Sequence, residues 1–164
     1  MKILGIITVI IISALTGNYF ALRLGRRMEL LKKLELMLEK TELLIRCRSA
    51  TVYEIAGELS RDKRLEGLDF LQYISGDGTF HEVWEQSVRK HCPDCLQRED
   101  IDLLINVGAE LGTSDIQGQL ESLAMSRSEL GRITAEARAE YAKKASLYRS
   151  MGVLAGAFAA VLLI

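Results

Sequence analysis

The residues best equipped for chemistry are His91-Cys92-Pro93-Asp94-Cys95, a C-x-x-C pair preceded by a histidine. Two thiols at that spacing can share a zinc ion with two further ligands, or exchange with a disulfide when one thiol is acidic. A structural zinc needs four ligands, and beyond this segment Cys47 and His81 are what remains to complete a set. A thioredoxin-like exchange needs a βαβ frame, and no such pattern surrounds the motif. The plainer reading is a loop between two helices with incidental cysteines. Carboxylates are plentiful, but Glu99, Asp100 and Asp102 read as the charged first turn of a helix, where acids favour the dipole. No Walker loop, G-x-G-x-x-G, H-E-x-x-H or G-x-S-x-G is present. No catalytic residue, metal site or cofactor site is expected, and the chain reads as a non-enzymatic binding or assembly protein. The rival is a membrane-anchored redox or metal sensor acting through Cys92 and Cys95.

The elements that must position these residues are helices. The middle of the chain is rich in Leu, Glu, Lys, Arg and Ala, and the 164 residues include one proline, Pro93. Leu30, Leu31, Leu34, Met37, Leu38, Leu44 and Ile45 form one apolar stripe of a long first helix reaching about Arg48. Thr51 with Glu54 and Thr79 with Glu82 are capping boxes that open two further helices. The first of these carries Val52, Ile55, Ala56 and Leu59; the second carries Val83, Trp84 and Val88, with Trp84 at a core position. A short helix is predicted around Leu65 to Ile74, before the turn Ser75-Gly76-Asp77-Gly78. A helix near Gln97 to Leu111 should bury Ile101, Leu104 and Ile105 and stop at Gly112, a left-handed C-cap. Asp115 or a neighbouring hydroxyl then caps a last helix from Ile116 to the C-terminus, with its stripe at Ile116, Leu120, Leu123, Leu130, Ile133, Ala137 and Tyr141. The expected fold is all-α, two long antiparallel helices capped at one end by short ones.

Both ends are apolar. Ile3 to Leu22 is a run of twenty uncharged residues, and Ser150 to Ile164 is a run of fifteen. A bilayer core needs roughly twenty apolar residues in a helix. The first run can span unaided; the second spans if Ala145 to Tyr148 enter the membrane and Arg149 snorkels or faces protein. A cleaved signal peptide is disfavoured by the length of the first run and by Arg23, Arg26 and Arg27 directly after it. The expected division is a span over 1–24, a helical domain over 25–148 and a second span over 149–164. Residues 1–49 with 138–164 carry 13 basic and 5 acidic groups, whereas 50–137 carry 8 basic and 17 acidic groups. The basic flanks lie on the domain side of both runs, which places the domain in the cytoplasm. The acidic distal part argues against nucleic acid as a partner. Ser13, Gly17, Ala21 and Gly25 recur every four residues, as do Gly152, Gly156 and Ala160. Such ridges let helices approach closely in lipid, and they are expected to face each other in a transmembrane hairpin, within a subunit or between subunits.

Four stretches carry a family resemblance. Val107-Gly108-Ala109-Glu110-Leu111-Gly112-Thr113-Ser114-Asp115, with Gln119 four residues on, is the most specific. Trp84-Glu85-Gln86-Ser87, Thr51-Val52-Tyr53-Glu54-Ile55-Ala56 and Arg149-Ser150-Met151-Gly152-Val153-Leu154-Ala155-Gly156 accompany it. Together with the N-terminal apolar run, they make the chain resemble the stage III sporulation protein AB family over nearly its whole length. Cys92 and Cys95 lie outside that pattern. The resemblance implies a membrane protein of endospore-forming bacteria, part of a channel-like complex joining mother cell and forespore. It implies a place on the mother-cell side, in the outer forespore membrane. It also implies a domain like the cytoplasmic domains of secretion-platform proteins, with a cytoplasmic secretion-type ATPase and other membrane proteins of the complex as partners. Within the signature, Gly108 would let helices approach, Gly112 would turn the chain and Asp115 would cap the last helix. Glu110 and Gln119, which those turns do not need, are the candidate contacts for the partner.

Overall fold

The described residues form five α-helices: α1 (Lys2–Arg48), α2 (Val52–Ser60), α3 (Phe80–His91), α4 (Arg98–Glu110) and α5 (Ile116–Leu162). The computed structural model describes the backbone of residues 2–48, 50–76 and 78–162. The side chains of 2–7, 9, 10, 149, 153, 156, 157 and 159–162 lie outside this description. Among the described residues there is no strand. Contacts divide the chain into two compact units, Glu29–Thr134 on one side and Met1–Met28 with Ala135–Ile164 on the other. Helices α1 and α5 contribute to both.

The larger unit is organised by the apolar face of α1, whose Leu31, Leu34, Met37 and Leu38 are all but inaccessible. A stripe repeating at three and four residues puts one face of a helix out of water, and each fully buried Leu contributes roughly 1.5–3 kcal/mol. Both capping boxes form: Thr51 Oγ1 accepts from Glu54 N while Glu54 Oε2 accepts from Thr51 N at 2.8 Å, and Thr79 and Glu82 repeat the pattern. The boxes satisfy backbone donors that a helix start would otherwise leave open. The expected single helix around Leu65 to Ile74 is instead two 3-10 turns, Lys63–Leu65 and Asp69–Tyr73. Gly67 stands between them at φ +96°, a left-handed conformation that interrupts helical hydrogen bonding. Asp62 caps the first turn through Arg64 N and binds Lys40 Nζ at 3.1 Å, tying the loop to α1.

Helices α3 and α4 pack closely. Trp84 is buried, donates from Nε1 to the Leu104 carbonyl at 2.7 Å, and meets Phe70 edge-on with ring centroids 5.6 Å apart. Ser87 Oγ donates to the Phe70 carbonyl, so the buried hydroxyl is satisfied. The face α4 buries is Leu103, Leu104, Val107 and Gly108, while Ile101 and Ile105 are half-buried. The helix is thus rotated relative to the expectation that Ile101 and Ile105 lie inside, because the close approach to Trp84 selects the face bearing Gly108. Asp100, the third residue of α4, is also fully buried and accepts from Gln97 N at 2.7 Å. In α5, Leu123, Leu130 and Ile133 are buried but Ile116 is about half exposed. The first turn of α5 therefore extends past the core.

The smaller unit pairs residues 1–28 of α1 with residues 135–164 of α5. The pair is antiparallel: Ser13 Oγ donates to the Gly152 carbonyl at 2.7 Å, and further along Arg27 lies 3.7 Å from Glu140. Gly17 and Gly152 meet backbone to backbone. A β-carbon at Gly152 would fall 2.8 Å from the Ser13 carbonyl oxygen and 3.1 Å from Gly17 Cα; one at Gly17 would overlap the Tyr148 carbonyl oxygen. Ala21, Ala137 and Ala145 are also buried, and Gly25 faces the Tyr141 ring. The surroundings of Gly156, Ala160 and Arg149 lie outside the described residues. Around this small-residue seam the large apolar side chains point away: Ile11, Ile12, Leu15, Tyr19, Leu22, Leu147, Met151, Leu154 and Phe158 are each half exposed or more. Among the described residues no helix is long and apolar enough to cross a membrane. Of the apolar run from Ile3 to Leu22 that was expected to span, the side chains at 3–7, 9 and 10 are outside this description.

Candidate partner interface

The segment joining α4 to α5 brings most of the singled-out residues together. Helix α4 ends where Leu111 N still bonds the Val107 carbonyl but Gly112 turns to φ +81°. A residue with a side chain would be strained there, and a β-carbon would also press on Val52 Cγ1 at 3.0 Å. Thr113 folds back onto the helix end, its Oγ1 donating to the Glu110 carbonyl at 2.9 Å. Asp115 Oδ1 accepts from Gly118 N at 3.0 Å, the N-cap bond of α5.

Two features of this junction escape a reading of the sequence. Gln119 is not free of the turn, because its side-chain amide donates to the Ser114 carbonyl at 2.8 Å. Its half-buried side chain therefore braces the loop that it was expected merely to flank. Gly118 is the second: a β-carbon there would fall 2.9 Å from both Asp115 Oδ1 and Ser114 Oγ. The signal for it is a glycine at the third position of a capped helix, where the capping side chain leaves no room.

Gly108 is buried within the fold and its missing side chain is the space that the Trp84 indole fills. Glu110, Gly112 and Asp115 are exposed. The junction thus presents acidic groups, Glu110 and Asp115, on a backbone whose turns are closed by its own hydrogen bonds. A rigid, pre-folded acidic edge loses little conformational entropy on binding.

The cysteine segment is arranged differently. Cys92 ends α3, its N–H bonding the Val88 carbonyl, and His91 stacks on Tyr73 with ring centroids 3.7 Å apart. Burial pushes the Cys92 thiol up to about 12, with Asp100 and Cys95 adding negative charge nearby. Reactive cysteines sit in electropositive surroundings that lower the thiol pKa, and this site does the reverse. Cys47 is exposed and His81 pairs with Glu85 at 3.7 Å. Among the described residues no three His, Cys, Asp or Glu side chains come together as a metal site.

Among known proteins, the family model described as stage III sporulation protein AB matches residues 2–164. No curated protein matches, and no solved structure does.

Proposed function

The chain belongs to the stage III sporulation protein AB family, and from that premise we propose that it is a membrane-anchored, non-enzymatic platform of the sporulation complex. Its helical domain docks a secretion-type ATPase on the cytoplasmic face, and both ends of the chain lie in the membrane. The complex sits on the mother-cell side, in the outer forespore membrane, alongside other membrane proteins.

One observation carries the membrane reading. The paired segments of α1 and α5 bury glycine and alanine and turn Ile, Leu, Met and Phe outward. In water that arrangement is costly, since each square ångström of apolar surface left exposed forfeits about 25 cal/mol. In lipid it is favourable: apolar side chains meet acyl chains, and small residues let two helix backbones approach. Two hydroxyls are satisfied within the segment, Thr16 Oγ1 donating to the Ile12 carbonyl at 2.9 Å and Ser13 Oγ to the Gly152 carbonyl. Lipid leaves no water to do so. The twenty uncharged residues Ile3 to Leu22 supply the length for one span, and Ser150 to Ile164 with part of its stem supplies the other. Arg23, Arg26 and Arg27 follow the first run and Arg138, Lys143 and Lys144 precede the second, which favours a cytoplasmic domain.

The ATPase reading draws on the family and on charge. Residues 50–137 carry 17 acidic against 8 basic groups, a surface suited to a basic patch. Co-purification of the ATPase with the full chain from detergent-solubilised membranes tests it. The Glu110→Ala variant should recover several-fold less ATPase at unchanged helical content. Equal recovery from membranes lacking the chain contradicts docking.

A further inference from the structure

Between α4 and α5 lies a cleft of about 560 Å³. Leu103 and Ile133 floor it, and Met125 stands at its wall with 76% of its surface exposed. The rim is mostly acidic: Glu99, Asp102 and Glu110 on α4 and Glu129 on α5, against Arg98. Arg132 holds Glu99 and Glu129 at 2.6 and 2.7 Å, and Arg98 lies 3.8 Å from Asp102. With both arginines counted, the four carboxylates still leave the rim net negative. An exposed methionine over an apolar floor is an adaptable surface that repacks against whatever it meets. An apolar groove edged by one sign of charge is the form that receives an amphipathic helix of the opposite sign.

We infer that the α4–α5 cleft is the docking groove for a basic amphipathic helix of a partner protein. The apolar face of that helix packs on Met125, above the buried Leu103 and Ile133, and its lysines or arginines meet Asp102, Glu110 and Glu129. Assigning the helix to the ATPase rests on the function proposed above; the chemistry of the groove does not.

The probe is a fluorescent amphipathic peptide of leucine and lysine, about five helical turns long, beside its leucine–glutamate counterpart. Both are titrated into the full chain in neutral detergent. The lysine peptide binds and the glutamate peptide does not. Glu110→Lys weakens binding at least tenfold, whereas Glu58→Lys with Glu66→Lys, a larger charge change elsewhere, does not. Met125→Glu separates groove from mere charge: it makes the rim more acidic yet weakens the peptide about tenfold. Unchanged or tighter binding by Met125→Glu overturns the groove, as does equal binding of the two peptides. A photo-crosslinker at Met125, applied with the ATPase present, assigns the occupant. A crosslink to a basic ATPase segment supports the inference, and one solely to a second copy of the chain overturns it. ATPase that co-purifies without crosslinking overturns the groove and leaves the docking function standing. Lysine-peptide binding that survives while no ATPase co-purifies does the opposite.

Discussion

The indole of Trp84 occupies the space that a β-carbon on Gly108 would need, and its Nε1 donates to the carbonyl of Leu104, one turn earlier on the same helix. A bulky aromatic on α3 and a missing side chain on α4 thus form one joint. It sets which face of α4 turns inward, and so which face carries Glu99, Asp102 and Glu110 to the surface.

Gly108→Ala should break this joint. Over-packing a closed core costs about 1–3 kcal/mol. Trp84 is the chain's one tryptophan, so its fluorescence reports directly. The variant should unfold at lower urea and emit further to the red; an unchanged midpoint and spectrum contradict the packing.

Asp62 should make the larger unit acid-sensitive in a recognisable way. Hydrogen bonds from Arg64, then the Lys40 ammonium, hold its carboxyl well below the ordinary value of 3.8. A carboxyl depressed in the fold stabilises fully above its unfolded pKa, and that contribution is lost as pH falls through the folded value. Asp62→Asn should therefore lower the urea midpoint at pH 7, and the gap to wild type should narrow below about pH 4. A gap independent of pH would contradict the assignment.

Cys92 should be inert. With its thiol near 12, about one molecule in ten thousand is thiolate at pH 8. Iodoacetamide should modify exposed Cys47 well before Cys92, with Cys92 reacting as pH approaches 12. Replacing Cys92 and Cys95 by serine should leave sporulation and ATPase recovery intact. Rapid Cys92 alkylation at pH 8, or a sporulation defect in the serine variant, would restore the sensor reading.

Gly152→Leu should pry the paired segments apart, because Gly17 Cα and the Ser13 carbonyl leave no room for a side chain. With Phe20→Cys and Tyr148→Cys in an otherwise cysteine-free chain, a short bismaleimide should link the two positions, whose rings are now 5.8 Å apart. Adding Gly152→Leu should cut that yield several-fold. An undiminished yield in membranes would sink the seam.

Much of the architecture was legible because its signals are local. A capping box fixes a helix start within one turn, and the stripe from Leu30 to Ile45 of α1 lies buried throughout. What was not legible depends on contacts between elements. Periodicity allows Ile101 and Ile105 to face inward as readily as Leu103 and Val107; Trp84 against Gly108 decides it. The Gln119 bond to the Ser114 carbonyl and the crowding at Gly118 exist once the junction has closed. The groove residue Met125 carries no motif, and α5 must lie beside α4 before it marks anything.

The central claim, an anchored chain with its domain in the cytoplasm, meets its most direct test at Cys47. A Cys92→Ser, Cys95→Ser variant leaves that exposed thiol as the one target for a membrane-impermeant maleimide. The account predicts no labelling in intact vegetative cells made to express the chain, strong labelling after lysis, and a labelled chain that stays in the membrane pellet through an alkaline carbonate wash. Labelling of intact cells, or release of the chain by carbonate, would contradict it.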